Sequence, residues 1–231
     1  MSLFNLAVLI SGSGSNLLAV IDAVDTGTIP NAKVALVVSS REGVFGLERA
    51  EKHGITNMVI DRLDTEKLLD TLKAHNIDGI ILAGYLTVLA PEVIEAYNGK
   101  IINIHPALLP SFGGKGFYGI KVHQAVLASG EKYTGATAHI VDCGIDTGAI
   151  LVRGVIPVMP DDTAESLQKR VLEIEHVVLV KAVKALVEGK VEELIKKPLT
   201  LLNMGDYESC VGATVPGRPC EEKSRNSGES I

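Results

Sequence analysis

Short apolar runs alternate with helix-forming runs over the first half of the chain, and this alternation restricts the fold more than any other feature. The apolar runs contain almost no polar residues, as strands do when both faces of a sheet are covered. They read "NLAVLI" (5–10), "AKVALVVSS" (32–40), "NMVI" (57–60), "IDGIILAG" (77–84) and "KIINIH" (100–105). The alternation predicts an α/β fold: a Rossmann-like, doubly wound, mostly parallel sheet.

The pattern changes after residue 105. The runs "GATAHIVD" (135–142) and "AILVRGVIPV" (149–158) predict an antiparallel C-terminal strand pair joined by a tight loop. A helical pattern over about 163–188 predicts a long C-terminal helix. We therefore expect one domain over residues 1–203. Residues 204–231 are rich in Gly, Ser, Pro and charge, and we expect a weakly ordered tail there.

Composition excludes several classes of function. The 28 acidic and 22 basic residues give a net charge of −6, which argues against a nucleic-acid-coating surface. No apolar run approaches the roughly 20 residues of a membrane span, and the start of the chain lacks signal-peptide features. The three cysteines match neither a zinc site nor an even disulfide framework. We expect a cytoplasmic protein that needs no metal. The sequence is compatible with a homodimer but does not require one.

A glycine-rich loop follows the first predicted strand and precedes a helix. Free amide groups at a helix N-terminus attract anions, so the loop predicts a phosphate site. Its residues are Gly12, Ser13, Gly14, Ser15 and Asn16. The third glycine of a dinucleotide fingerprint would fall at Leu17, which argues against that motif. The second strand ends in "SSR", which could suit a 2′-phosphate, so an NADP-dependent oxidoreductase and a simple turn both stay open as alternatives.

Polar side chains interrupt the apolar pattern where the fifth strand ends. Asn103 and His105 are two residues apart and should project to the same side. The loop "VDCGIDTG" adds Asp146, and His139 is expected to support this set or to lie in the core. An amide donor, an imidazole and a carboxylate suit acyl transfer. No Ser or Cys nucleophile lies beside His105, which favours direct transfer between two bound substrates. Each residue alone could instead serve a turn or a strand end.

Four segments together resemble the folate-dependent formyltransferase family, and within it the enzymes that formylate glycinamide ribonucleotide in purine synthesis. They are "VLISGSGSNL", "ILAGYLTVLAP", "INIHPALLPSF" and "GATAHIVDCGIDTGAIL". The resemblance covers about residues 5–190 and implies 10-formyltetrahydrofolate as co-substrate. It implies that Asn103, His105 and Asp146 are catalytic and that residues 12–16 bind the substrate phosphate.

The resemblance also assigns the remaining site residues. It implies substrate contacts for Gly84, Leu86, Pro106 and Glu175. It implies folate contacts for Leu82, Tyr85, Thr87, Val88, Leu89, Val141, Asp142, Cys143, Gly144 and Ile145. The implied reaction moves a formyl group to the amine of glycinamide ribonucleotide. The alternatives are a formyltetrahydrofolate hydrolase, the NADP-dependent oxidoreductase and a non-catalytic nucleotide-binding module.

Overall fold

The computed structural model describes residues 3–202 and contains one eight-stranded sheet with the order β3-β2-β1-β4-β5-β6-β7-β8. The strands are β1 Phe4–Ile10, β2 Ala32–Ser39, β3 Asn57–Val59, β4 Gly79–Leu82, β5 Ile101–His105, β6 Tyr133–Ile140, β7 Ile150–Pro157 and β8 Leu199–Leu202. The first five strands pair in parallel, whereas β6 is antiparallel to both β5 and β7. The predicted α/β class with its antiparallel strand pair is therefore confirmed.

Seven helices connect the strands within residues 3–202. They are α1 Ser15–Asp25, α2 Phe45–Lys52, α3 Thr65–Ala74, α4 Pro91–Ala96, α5 Ile120–Ser129, α6 Ala164–Val187 and α7 Val191–Lys196. The predicted long helix is α6, with 24 residues. It begins in a capping box, in which the Thr163 side chain accepts from the Ser166 N–H and the Ser166 hydroxyl accepts from the Thr163 N–H.

The core has two layers because neighbouring residues of a strand point to opposite faces of the sheet. Leu6, Val8 and Ile10 of β1 join the layer that also contains α1 and α6. Ala7 and Leu9 join the opposite layer, with α3 and α4. Since both faces of β1 are covered, its run of apolar residues is explained.

Strand pairing brings the chemically interesting residues together. Asn103 lies beside Leu82 of β4 and beside His139 of β6, and His105 lies beside Thr137 of β6. Partners in register share a face of the sheet, so Asn103 and His139 project on the same side. The loop between β6 and β7 starts near the beginning of β5, where the Val141 N–H donates to the Ile101 carbonyl.

The end of the described chain differs from the expectation. The sequence pattern predicts no element after α6, yet α7 follows it and β8 pairs in parallel with β7. Both elements are short, and a four-residue edge strand gives little periodic signal. The predicted tail at 204–231 lies outside the described residues. Within residues 3–202, no helix is both long and apolar enough to cross a membrane.

Candidate active site

The Asp146 carboxylate lies at the centre of a polar cluster above β5. Its Oδ2 accepts a hydrogen bond from the Gly114 N–H at 3.0 Å and lies 3.5 Å from Nδ1 of His105. Its Oδ1 accepts from Nδ2 of Asn103 at 3.3 Å and lies 3.6 Å from Nε2 of His139. The structure therefore brings all three predicted catalytic residues together and places His139 beside them.

His139 determines how the Asn103 amide is oriented. Nδ1 of His139 is 2.8 Å from the Ile140 carbonyl oxygen, so this nitrogen carries the ring proton. The other ring nitrogen, Nε2, then has a free lone pair and accepts from Nδ2 of Asn103 at 3.1 Å. Because Nδ2 also faces Asp146, the Asn103 amide hydrogens point to these two neighbours. Donation to a reacting oxygen therefore requires one of these hydrogen bonds to be exchanged.

His105 is buried, with 4% of its surface exposed. Its Nε2 lies 2.7 Å from the Phe112 carbonyl oxygen, which can only accept, so Nε2 is protonated. Burial lowers the pKa of His105 below its usual value, although Asp146 and the Phe112 carbonyl oppose that shift. The neutral ring thus has an unprotonated Nδ1 facing Asp146. A proton that arrives on Nδ1 is stabilised by the carboxylate.

Burial raises the pKa of Asp146, whereas the hydrogen bond from the Gly114 N–H lowers it, as does the positive charge that the His139 and His105 rings carry when they are protonated; the lowering effects outweigh burial. The pKa of this carboxyl is therefore lowered below its usual value, and Asp146 is ionised at neutral pH. An ionised carboxylate beside a neutral imidazole is suited to assist proton uptake by that imidazole. Asp146 stays ionised while His105 takes up the proton.

Two residues that contact His105 have unusual backbone conformations. Phe112 has φ 55° and Asp146 has φ 59°, a region that residues other than glycine rarely adopt. Phe112 supplies the carbonyl group that accepts from His105, and Asp146 supplies the carboxylate. Such conformations persist only where the surrounding structure fixes them, and they cluster at functional sites.

The predicted phosphate loop joins β1 to α1 and has free donors. Gly14 is the N-cap of α1, with φ 72°, and in the described part of the chain no side chain caps this helix. The N–H groups of Ser13, Gly14 and Ser15 donate to no acceptor within residues 3–202. A left-handed residue followed by a helical one turns successive N–H groups toward a common point, which is the geometry of an anion site.

Gly14 cannot be replaced without moving a neighbouring helix. A Cβ atom on Gly14 would lie 2.7 Å from Cα of Gly46 in α2, and the positive φ is also unfavourable for other residues. The Gly46 N–H donates to the Gly12 carbonyl at 3.1 Å and so attaches α2 to the loop. The close approach of these backbones explains why Gly14 and Gly46 are glycines.

Asn16 has a different environment from the rest of the loop. Its Nδ2 donates to Oε2 of Glu175 at 2.7 Å, and its buried Oδ1 has no hydrogen-bond partner among residues 3–202. Burial raises the pKa of Glu175 to about 7, against the lowering effect of the Asn16 amide. The side chain of Asn16 therefore connects α1 to α6 and places Glu175 beneath the loop.

The residues predicted to bind folate fall into buried and exposed groups. Leu82 and Leu89 are each 6% exposed and belong to the core. Val88 and Ile145 are 64% and 42% exposed, and the neighbouring Leu86, which is predicted to contact the substrate, is 52% exposed. Exposed apolar side chains on the loops after β4 and β6 offer surface for an apolar ligand, whereas Leu82 and Leu89 are part of the core.

Three of the other predicted folate contacts line or shape this region. Tyr85 and Thr87 line a shallow cleft together with Val88 and Leu89. Asp142 accepts from the Gly144 N–H at 3.0 Å and from the Thr147 hydroxyl at 2.6 Å, so it organises its own loop. Cys143 is exposed. Val141 and Pro106 are partly buried beside the cluster, and Gly84 has φ 74°.

Sequence reasoning did not identify Ser11. Its hydroxyl accepts from the Leu86 N–H at 3.0 Å and lies 2.9 Å from the Ser40 hydroxyl. Ser11 thus connects the loop after β4 to the phosphate loop. The loop that contains Phe112 and Gly114 was also missed, because only its folded conformation brings these backbone groups to His105 and Asp146. Within residues 3–202, no group of three or more His, Cys, Asp or Glu is arranged to hold a metal ion.

The shifted pKa of Glu175 predicts a pH-dependent stability. The pKa in the folded state, about 7, is above the usual 4.5 of an unfolded chain, so stability falls as pH rises between these values and levels off above 7. Glu175→Gln imitates the neutral form. We expect the variant to match the wild type near pH 4.5 and to be more stable at pH 8, by about 3 kcal/mol. Urea unfolding across this range measures the difference.

Glu173→Gln is the matched control, because Glu173 lies on the exposed side of the same helix. Its unfolding free energy should run parallel to that of the wild type. If the Glu175→Gln curve also runs parallel, burial does not shift the Glu175 pKa.

Comparison with known proteins agrees with this geometry. The sequence profile of the family described as "Formyl transferase" matches residues 4–183. The chain is 42% identical over 195 residues to "Phosphoribosylglycinamide formyltransferase, chloroplastic" of Arabidopsis thaliana, which covers 81% of this chain. It spans 66% of the length of that plant relative. It is 36% identical over 192 residues to "Phosphoribosylglycinamide formyltransferase" of Haemophilus influenzae, covering 80% of this chain and 88% of that one.

A solved structure shows the same architecture. Glycinamide ribonucleotide transformylase 1 from Symbiobacterium toebii superposes with a TM-score of 0.76 at 35% sequence identity. The match covers 81% of this chain and 89% of that chain. The resemblance expected from the sequence motifs is thereby confirmed. The chain belongs to the formyl transferase family.

Proposed function

We propose that the protein transfers the formyl group of 10-formyltetrahydrofolate to the amine of glycinamide ribonucleotide. The observation that carries the proposal is the Asp146 carboxylate, which contacts Asn103, His105 and His139 within 3.6 Å. The names of the relatives from Arabidopsis thaliana and Haemophilus influenzae support it, since both are phosphoribosylglycinamide formyltransferases. The proposal includes a cytoplasmic location and is compatible with a homodimer.

The acceptor would bind with its phosphate on the loop formed by residues 12–16. The free N–H groups of Ser13, Gly14 and Ser15 supply donors for a monophosphate. Glu175 lies under this loop through Asn16, so the sugar or the amine-bearing part of the acceptor would extend toward α6. The proposal also assigns Gly84, Leu86 and Pro106 to the acceptor.

The donor would bind on the other side of the cluster. The segment 82–89 and the loop 141–145 present the exposed apolar side chains of Val88 and Ile145. A pterin ring needs apolar walls and a few backbone hydrogen bonds. Its formyl group would then lie next to Asn103 and His105.

The proposed reaction uses Asn103, His105 and Asp146 in turn. The acceptor amine attacks the formyl carbon, a C–N bond forms, and the carbonyl oxygen becomes an oxyanion. Asn103 donates to that oxygen after it exchanges one of its present hydrogen bonds. His105 takes up the amine proton with help from Asp146 and returns a proton to the folate nitrogen as its bond to the formyl carbon breaks. The products are the formylated amine and tetrahydrofolate.

Two alternatives are less well supported. A hydrolase would use water as acceptor and would not need the uncapped loop at 12–16. An NADP-dependent oxidoreductase would need a third glycine where Leu17 stands, and Leu17 is fully buried in the core. A formyl-transfer assay with and without glycinamide ribonucleotide, using 10-formyltetrahydrofolate as donor, separates these reactions directly. The proposal requires tetrahydrofolate release that depends on the ribonucleotide.

The catalytic cluster predicts non-additive losses. His105→Ala and Asp146→Asn should each lower kcat at least about 100-fold, because proton transfer by a positioned side chain contributes about 10²–10⁴-fold to the rate. Because Asp146 acts through His105, the double variant should lose little more than the worse single variant. The KM values of both substrates should change little. Steady-state kinetics measures these parameters.

His53→Ala is the control, since His53 is exposed on the surface at the end of α2. It should have the kinetics of the wild type. Multiplicative losses in the double variant, or near-normal turnover of Asp146→Asn, would show that Asp146 only shapes its loop.

The donor surface predicts a selective defect. Val88→Asp places a charge where the pterin would be buried, and burying a charge without a partner is costly. We expect the KM for 10-formyltetrahydrofolate to rise at least about tenfold, with the KM for the ribonucleotide unchanged. Val177→Asp, at an exposed position of α6, is the matched control and should change neither value. Equal increases for both substrates in Val88→Asp would contradict this position for the donor.

A further inference from the structure

Arg49 of α2 lies against the phosphate loop although it is distant in sequence. Its Nε donates to the Ser13 carbonyl oxygen at 3.0 Å. A Cβ atom on Gly14 would lie 3.5 Å from Cδ of Arg49. The guanidinium also stacks over the Phe45 ring, 4.8 Å from its centre. These contacts hold the side chain in one place beside the loop.

The hydrogen bond from Arg49 fixes one peptide group of the loop. In a trans peptide the C=O of one residue and the N–H of the next point in opposite directions. Since the Ser13 carbonyl points to Arg49, the Gly14 N–H points to the other side. That N–H is one of the loop donors that have no acceptor within residues 3–202. Arg49 therefore determines which face of the Ser13–Gly14 peptide meets a ligand.

The electrostatics favour the same role. No ion pair links Arg49 to a carboxylate in the part of the chain that the structure describes. The loop itself contains no Lys or Arg, and the chain carries a net charge of −6. The Arg49 cation lies at the negative, carbonyl end of the Ser13–Gly14 peptide dipole. If this peptide turned over, the Ser13 carbonyl would face the ligand and repel a phosphate. The attraction between the cation and the carbonyl disfavours that orientation.

We infer that Arg49 is the positioning residue of the phosphate loop and sets the preference for a phosphorylated over a dephosphorylated acceptor. The inference rests on the proposed function in that it takes this loop as the phosphate site. It assigns Arg49 no contact with the reacting atoms. The inference predicts weaker binding of the phosphorylated acceptor with little change in kcat.

The test compares the binding of glycinamide ribonucleotide and of its dephosphorylated ribonucleoside by calorimetry, with the donor absent. Arg49→Met keeps the apolar stem over Phe45 but removes the donor and the charge. It should weaken ribonucleotide binding about 10- to 100-fold, the usual range for losing a hydrogen bond to a charged group. Ribonucleoside binding should stay within about twofold. Arg49→Lys keeps a charged donor and should recover part of the loss.

Lys52→Ala is the matched control. Nζ of Lys52 lies 5.6 Å from the centre of the Phe45 ring, and Lys52 makes no hydrogen bond to the phosphate loop. It should bind both ligands like the wild type. In the formyl-transfer assay, Arg49→Met should raise the KM for the ribonucleotide and keep kcat within about twofold. Circular dichroism and thermal unfolding establish that each variant is folded.

The outcomes separate this inference from the proposed function. If Arg49→Met binds the ribonucleotide as the wild type does, or loses both ligands equally, the inference is wrong while formyl transfer can still be observed. If the wild type does not bind the ribonucleotide, the proposed function is wrong. Ribose 5-phosphate then serves as the probe. Weaker binding of it to Arg49→Met than to Lys52→Ala supports the inference, and equal binding overturns it.

Discussion

The rest of the site depends on the contacts of one partly buried carboxylate, that of Asp146. It contacts the Asn103 amide and the His105 imidazole of β5 and the His139 imidazole of β6. It also accepts from the Gly114 N–H in the loop after β5. The Gly114 N–H, and the two imidazoles when they are protonated, lower its pKa despite burial, so the carboxylate stays ionised in a site largely shielded from solvent. An ionised Asp146 keeps the neutral His105 ready to accept a proton and holds the Asn103 amide in place by accepting from its Nδ2.

The fold provides this arrangement through strand register and two left-handed residues. Antiparallel pairing sets Asn103 opposite His139 and therefore fixes the amide before any ligand binds. The loops then bring Phe112 and Asp146 to His105 with positive φ angles. Strain of about 1–3 kcal/mol for such residues is offset by the packing and hydrogen bonds around them. The site is thus built by rigid elements on one side and by constrained loops on the other.

The central pattern could be predicted from the sequence, because it depends on local periodicity. Strand periodicity places Asn103 and His105 on one side, and the glycine loop after β1 is recognisable without a structure. The contact between Asn16 and Glu175 depends on how α1 packs against α6, so the bare sequence offers no signal for their hydrogen bond. The Phe112 carbonyl and the Ser11 hydroxyl were not predicted, since their roles depend on backbone direction rather than on residue type.

The most direct test of the role of Asp146 is the pKa of His105, measured by NMR titration of the imidazole in the wild type and in Asp146→Asn. Burial lowers this pKa and the Asp146 charge raises it, so removal of the charge should lower the pKa further. Our account therefore predicts that His105 of the Asn variant titrates at a lower pH than that of the wild type. An unchanged pKa would contradict it, because the carboxylate would then have no electrostatic hold on the imidazole.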